Sequence, residues 1–213
     1  MIGDLAVLLK GVPMTLALTA VSFLIGALLG LPLLGLSTAR HSQLRLLATG
    51  IILVCRSIPP IVWLFLIFFG VGVGYIQLDP FTAGAIGLGL ITGANMAEIY
   101  RGALTAIHPG QWEAASALNL SRYQRFVDVI GPQLLRISLP SAATYAIGLL
   151  KDTAVASAIG VHEIAFSAYH LSQQTFRGLD IFAGAGLLYI VMSVPIAFLA
   201  RWTDRRLRAK VAL

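Results

Sequence analysis

An all-α polytopic membrane protein with about five transmembrane helices is the architecture this chain predicts. Of its 213 residues, 58% are hydrophobic and 11% charged, and the mean hydropathy is +0.86. A soluble domain carries about a quarter charged residues and must solvate its exterior whatever it buries. Apolar runs reach the roughly 20 residues needed to cross ~30 Å of hydrocarbon. Lys and Arg, moreover, gather on alternate loops.

Each span has its own boundary signals. No charge occurs between Lys10 and Arg40, which places the first span at 12–36. The second, 46–73, carries Arg56 and the Pro59-Pro60 pair, where missing backbone donors predict a kink or break. Gly70, Gly72, Gly74 and Asp79-Pro80 then mark a turn before the third span, 81–107. A fourth, 137–161, is interrupted by Lys151-Asp152, and a fifth covers 181–202. Together they make 1–213 a single transmembrane domain with a polar loop at 108–136. Gly26 and Gly30 form a GxxxG pair that permits close helix packing in membranes.

Orientation follows from the positive charges. Five spans put Arg40, Arg45, Arg122, Arg125, Arg136, Arg201, Arg205, Arg206, Arg208 and Lys210 on one side, against Lys10 and Arg177 on the other. The N-terminus is therefore expected outside and the C-terminus in the cytoplasm. These bases flank apolar spans instead of forming a stripe, so the net charge of +6 does not point to nucleic acid. Cys55 stands alone, excluding an intrachain disulfide. His41, His108, His162 and His170 show no metal-ligand spacing. The chain contains no Gly-Lys-Ser or Gly-Lys-Thr nucleotide loop and no GxSxG nucleophile. The first apolar run is too long for the core of a cleavable signal.

The polar island Gln111–Pro140 predicts two short helices. Residues 111–118 are good helix formers. Asn119 falls where a left-handed residue should stop the first helix. Ser121 and Gln124 read as a capping box opening the second, and Gly131-Pro132 is expected to end it. Glu113-Ala114-Ala115, with Asn119, Val129, Gly131 and Pro132 at their spacings, resembles the EAA loop of binding-protein-dependent ABC importer permeases. The family pattern has Gly, Ile and Leu where this chain has Asn119, Val129 and Gly131. A docking role for the island on a cytoplasmic ATPase subunit is what the resemblance implies. Glu113, Ala114, Ala115, Asn119, Ser121 and Pro132 are then the coupling residues, with Ala114 and Ala115 small for close approach to the partner. A first-turn carboxylate such as Glu113 also interacts favourably with its own helix dipole.

Further segments resemble the polar amino acid uptake branch of that family: Arg56-Ser57-Ile58-Pro59-Pro60, Ala97-Glu98-Ile99-Tyr100-Arg101-Gly102, and Leu150-Lys151-Asp152-Thr153 continuing to Ile159-Gly160-Val161. Charges inside spans cost at least ~2.5 kcal/mol each and usually face protein or a water-filled cavity. Arg56, Ser57, Lys151 and Asp152 are thus the candidate substrate contacts. A forked hydrogen-bond pair from Arg56 suits a carboxylate, and Asp152 suits an ammonium. The alternative is that these charges pair with neighbours and only set helix packing. Lys151 and Asp152, being adjacent, cannot face the same way, whereas Glu98 and Arg101 can pair along one face.

The resemblance further implies a bacterial inner-membrane location, a second permease subunit (identical or related), an extracytoplasmic solute-binding protein docking on loops such as 75–82 and 162–180, a polar amino acid as cargo, and lipid around the bundle. The chain itself would hold no cofactor, ATP and Mg²⁺ belonging to the ATPase subunit. The rival reading is an ion-gradient-driven secondary transporter of a small polar solute, but those folds commonly contain two related halves and no internal repeat is evident.

Overall fold

A computed structural model of the chain describes residues 2–70 and 77–211, and the side chains of all of these except 2, 199 and 203–211. Regular structure in those residues is entirely helical: α1 (Ile2–Leu9), α2 (Val12–Ser37), α3 (Ser42–Ser57) and α4 (Pro60–Phe65), then a π-helical turn, Leu66–Gly70. α5 (Pro80–Thr105), α6 (Pro109–Ala117) and α7 (Arg122–Gln124) follow, and a second π-helical segment, Arg125–Ile130, leads into α8 (Gly131–Asp152). A 3₁₀ stretch, Thr153–Ile159, precedes α9 (Ile164–Thr175) and α10 (Gly178–Val211).

Among the described residues two helical stretches, Gly3–Ser37 and Gly178–Trp202, are long and apolar enough to cross a membrane. The expected second span is broken at its proline pair, the segments Ser42–Ser57 and Pro60–Gly70 meeting at 101°. Ile58 and Pro59 are both extended, with ψ 129° and 141°, because a following proline drives a residue out of the helical region. The Trp63 indole donates to the Cys55 carbonyl across the bend at 3.2 Å. Residues 71–73 of that expected span, and 75–76 of the expected outer loop, lie outside the described residues. So do the side chains of Arg205, Arg206, Arg208 and Lys210. α5, in place of the expected third span, starts where Asp79 caps it, its carboxylate accepting the Thr82 N–H at 3.1 Å with Pro80 in the first turn.

Packing centres on α2 against α5, the most extensive helix pair among the described residues. Lipid tails are as apolar as leucine, so close backbone approach has to hold membrane helices together. The expected GxxxG pair is half of a reciprocal arrangement. A Cβ on Gly26 would lie 2.2 Å from Thr92, and one on Gly30 2.8 Å from Met96. In return, a Cβ on Gly89 would lie 2.7 Å from Ile25, and one on Gly93 3.0 Å from Leu29. α2 also links two apolar clusters. Leu8, Ile164, Ala168, Ile181 and Ala185 gather at its start, with Val12 packed against them. Leu34, Ile107, Ile130 and Leu134 gather at its far end. From Val12 to Leu34 the axis runs roughly 33 Å, a bilayer's depth.

The segment expected as a plain outer loop, 162–180, contains α9 and is a correction to the sequence reading. Its anchor is Glu163, fully buried at the helix start. One carboxylate oxygen accepts the Phe166 N–H at 2.6 Å and the other accepts the Tyr189 hydroxyl of α10. The Ile164 N–H donates to Thr15 of α2 at 3.3 Å. Gly11 allows this seat, since a Cβ there would lie 2.6 Å from the Glu163 backbone.

Gly26→Val should destabilise the protein by ~1–3 kcal/mol or more through overpacking against Thr92. Gly35→Val, with no atom within 4 Å of its Cβ position, should cost little. Unfolding in detergent separates the two, and equal losses would refute the crossing as the stabilising contact. Burial pushes the Glu163 carboxyl up, against the downward pull of its hydrogen bonds from Tyr189 and backbone N–H groups. The fold therefore holds that proton more tightly than the unfolded chain. The resulting stability is full below the ordinary carboxylate range and is lost as pH rises through the raised folded value. The melting midpoint should fall across that rise, and Glu163→Gln should flatten the profile; an identical profile in the variant would show that another group sets it.

Candidate functional site

Two features stand out: a polar elbow between α5 and α8, and a set of polar groups on α5 and on the helices α3 and α8 that pack against it. The elbow is built by local rules. His108 caps α6, its Nδ1 accepting the Gly110 N–H at 3.0 Å with Pro109 in the first turn. α6 ends in a Schellman motif: the Leu120 N–H reaches the Ala115 carbonyl at 3.2 Å, and the Asn119 N–H reaches that of Ser116 at 3.0 Å. Asn119 is left-handed, φ 51°, as the motif requires. The expected capping box is present, Ser121 Oγ accepting the Gln124 N–H at 3.2 Å and Gln124 Oε1 accepting the Ser121 N–H at 3.0 Å.

Gly131-Pro132 does not end the second elbow helix as expected. The π-helical segment 125–130 shifts the hydrogen-bond register, so the Gly131 N–H donates to Phe126 O, five residues back. Pro132, which lacks a donor, directly follows that shifted register in a helical run that continues unbroken from Arg122. A Cβ on Gly131 would lie 2.8 Å from that Phe126 oxygen, which explains glycine there. Residues 131–136 of the expected loop thus belong to α8, and the elbow is continuous with a bundle helix.

The elbow is also tied down laterally. Gln133 of α8 donates to the Gln111 side chain of α6 at 3.0 Å, and Trp112 packs on the cluster of Leu34, Ile107, Ile130 and Leu134. Glu113 and Ala114 face outward, but Ala115 is buried. Its small size therefore serves approach to its own bundle, a correction to the partner-facing role expected of it. Leu118, 73% exposed, and Tyr123, 75% exposed, leave large apolar surface on the elbow.

Among those polar groups, Arg56 sits in the last turn of α3, followed by Ser57 at the break, both exposed. The Tyr145 hydroxyl of α8 donates to Thr92 Oγ1 of α5 at 3.3 Å and accepts from Asn95 Nδ2 at 3.5 Å. Tyr145 lies within electrostatic reach of both Arg56 and Asp152, and Glu98 within reach of Arg56. Tyr145, Gly148 and Asp152 fall on one face of α8, and nothing lies within 4 Å of a Cβ on Gly148. The space beside them is open. Lys151 instead lines a separate groove of about 520 Å³ with Tyr189 and Ser193 of α10. Glu98 and Arg101 form the expected ion pair, two hydrogen bonds of 3.1 and 2.8 Å. Sequence reading missed Asn95 and Tyr145. The available signals were the three-residue step from Asn95 to Glu98 and the seven-residue step from Tyr145 to Asp152.

A helical membrane bundle with a braced elbow and polar groups on α3, α5 and α8 has the form expected of a transport permease. The sequence profile of binding-protein-dependent transport system inner membrane components matches residues 22–209. A probable amino-acid ABC transporter permease of Bacillus subtilis is 36% identical over 89% of this chain and 84% of its own. The glutamine transport system permease of Escherichia coli K12 is 32% identical over 94% of this chain and 93% of its own. A crystal structure of an amino acid ABC transporter with histidines superposes with a TM-score of 0.88 at 30% identity, covering 97% of this chain and 96% of that one. The chain belongs to the family of binding-protein-dependent transport system inner membrane components. It is a permease subunit of an ABC importer and a multi-pass protein of the inner membrane.

Strain at the elbow turn gives a direct check. Asn119→Gly should preserve stability, since glycine adopts the left-handed conformation freely, whereas Asn119→Val should cost ~1–3 kcal/mol. Melting in detergent compares them, and an equal response would mean the turn tolerates any side chain.

Proposed function

We propose that this permease imports polar amino acids, paired with an identical or related permease. Two cytoplasmic ATP-binding subunits lie below the pair and a solute-binding protein docks above. The relatives named for amino acid and glutamine transport support the cargo class. In this reading the chain crosses five times, by α2, the bent α3–α4 pair, α5, α8 and α10, with the N-terminus outside and the elbow, at 108–130, in the cytoplasm. The observation that carries the reading is the elbow itself, which is braced to the bundle yet exposes Leu118, Tyr123 and Glu113 to a partner. Asn119, Ser121 and Pro132 shape it, Ala114 gives the partner close access, and Ala115 lets the elbow settle on its own bundle.

The polar groups of α3, α5 and α8 receive the zwitterion. Arg56 offers a cation to the carboxylate, Asp152 an acceptor to the ammonium, and Ser57, Asn95 and Tyr145 hydrogen-bond the remainder. Lys151, on the other side of α8, acts in the α8–α10 packing. ATP binding closes the ATPase pair and moves the elbows, the cavity opens outward, and hydrolysis resets it. The chain contributes differential affinity for cargo in its two conformations, since a ligand shifts only an equilibrium whose states it binds unequally. ATP and Mg²⁺ stay on the partner.

Reconstitution in vesicles tests this. Transport should require the ATPase subunit, the binding protein and ATP, and transport on an ion gradient alone would instead establish a secondary transporter. Glu113→Lys should reduce co-purification of the ATPase subunit from a permease that still elutes as folded protein. Asp152→Asn should leave assembly intact and lower transport about 10- to 100-fold, the value of a lost charge-assisted hydrogen bond. Normal uptake and selectivity in that variant would reduce Asp152 to a packing residue.

A further inference from the structure

A groove of about 700 Å³ runs along α3 as far as the bend at Pro59-Pro60. Leu47, Gly50 and Val54 line its length, with Gln43 at one end and Cys55 and Trp63 at the other. Gly50 keeps the middle open, since no atom lies within 4 Å of its Cβ position. The bend sets where the groove stops. α4 leaves α3 at 101°, and the Trp63 indole is tied back to the Cys55 carbonyl at 3.2 Å. Arg56 lies nine residues, two and a half turns, beyond Leu47 and so stands on the opposite side of α3. The groove therefore belongs to a surface separate from the candidate cargo groups.

Polarity is graded along it. Leu47 and Val54 are exposed aliphatic side chains, whereas the turn leading to Gln43 carries Arg40 and His41, both exposed. Arg45 pins that turn by donating to the Ala39 and Arg40 carbonyls, each at 3.2 Å. Neither Arg40 nor His41 meets a carboxylate among the described residues, and no Asp or Glu occurs between Asp4 and Asp79. This cationic end lies next to the Leu34 end of α2, where the elbow packs. From Gln43 to Val54 the helix rises roughly 16 Å, about half of ~30 Å of hydrocarbon. A neighbouring protein helix would run past such a stop. An amphiphile with one anionic head and the reach of a single leaflet fits within it.

We propose that the groove is a binding site for an anionic phospholipid of the leaflet on the elbow side. The phosphodiester lies beside Arg40, His41 and Gln43, and one acyl chain runs over Gly50 to Trp63. A guanidinium pairs well with a phosphate, and basic groups at the ends of membrane helices are a mark of anionic headgroup recognition. The bound chain fills the angle at the bend and braces α3 against α4. This site requires only the membrane bundle, not the cargo or the partners assigned above.

To test it, the purified permease complex is delipidated in detergent and titrated with phosphatidylglycerol or with phosphatidylethanolamine of the same chains. Native mass spectrometry counts the bound lipid, and thermal melting runs beside it. Phosphatidylglycerol should bind with at least about fivefold preference, the value of one basic residue at an anionic surface, and should raise the melting midpoint. Gly50→Phe should abolish both the tight lipid and the midpoint gain, while melting without lipid should be no lower, because the ring enters open groove. If that variant fails to fold, Gly50→Leu makes the same comparison. Arg40→Gln should lower the headgroup preference by about that fivefold factor. Lipid binding unchanged in the Gly50 variants, equal affinity for the two headgroups, or the same midpoint gain from inorganic phosphate would overturn the site. So would separation of a permease pair by Gly50→Phe, which would make the groove a subunit interface.

Discussion

The α2–α5 crossing is the contact on which the remaining geometry depends. In lipid, water does not push apolar helices together, so affinity has to come from surfaces that touch closely. Gly26 and Gly30 on one helix and Gly89 and Gly93 on the other remove the side chains that would hold the backbones apart. The same α5 carries Thr92, Asn95 and Glu98, so the crossing also places these polar groups relative to α8. Thr92 serves both functions: it fills the space over Gly26 and accepts the Tyr145 hydroxyl.

From that crossing, rigidity extends to both ends of α2. At one end the chain is stitched by polar contacts, with Thr15, Glu163 and Tyr189 joining α2, α9 and α10. At the other it is held by apolar packing around Leu34, Ile130 and Trp112, supplemented by the Gln133–Gln111 bond. The π-helical segment 125–130 makes the elbow and α8 one continuous body. α6 is joined to that run across the Asn119 turn and by the Gln133–Gln111 bond.

Much of this was legible from residue order. Composition and charge-free runs set the class, and proline, glycine and capping residues marked element ends. Asn119, the Ser121–Gln124 box, the break at Pro59-Pro60 and the Glu98–Arg101 pair all took the forms their local chemistry demands. Those signals act over a few residues, and one sequence suffices to state them. Where local reading failed, a nonlocal contact intervened. Gly131-Pro132 would end a helix in isolation, but a five-residue hydrogen bond to Phe126 lets the chain continue. α9 went unread because Glu163 and Ile164 owe their burial to Thr15, Gly11 and Tyr189, residues distant along the chain.

The division follows the range of the forces involved. Hydrophobic content, charge placement and turn chemistry are properties of the string, and they specify an all-helical membrane protein with a helical elbow, while the importer permease reading came from the resemblance of its motifs to a known family. Which way Ala115 faces, that Lys151 lines a groove with Tyr189 and Ser193, and that Tyr145 meets Thr92 and Asn95 depend on how helices rotate against one another. That rotation is set by side-chain volume at the α2–α5 contact, a quantity that exists only once the two helices have met.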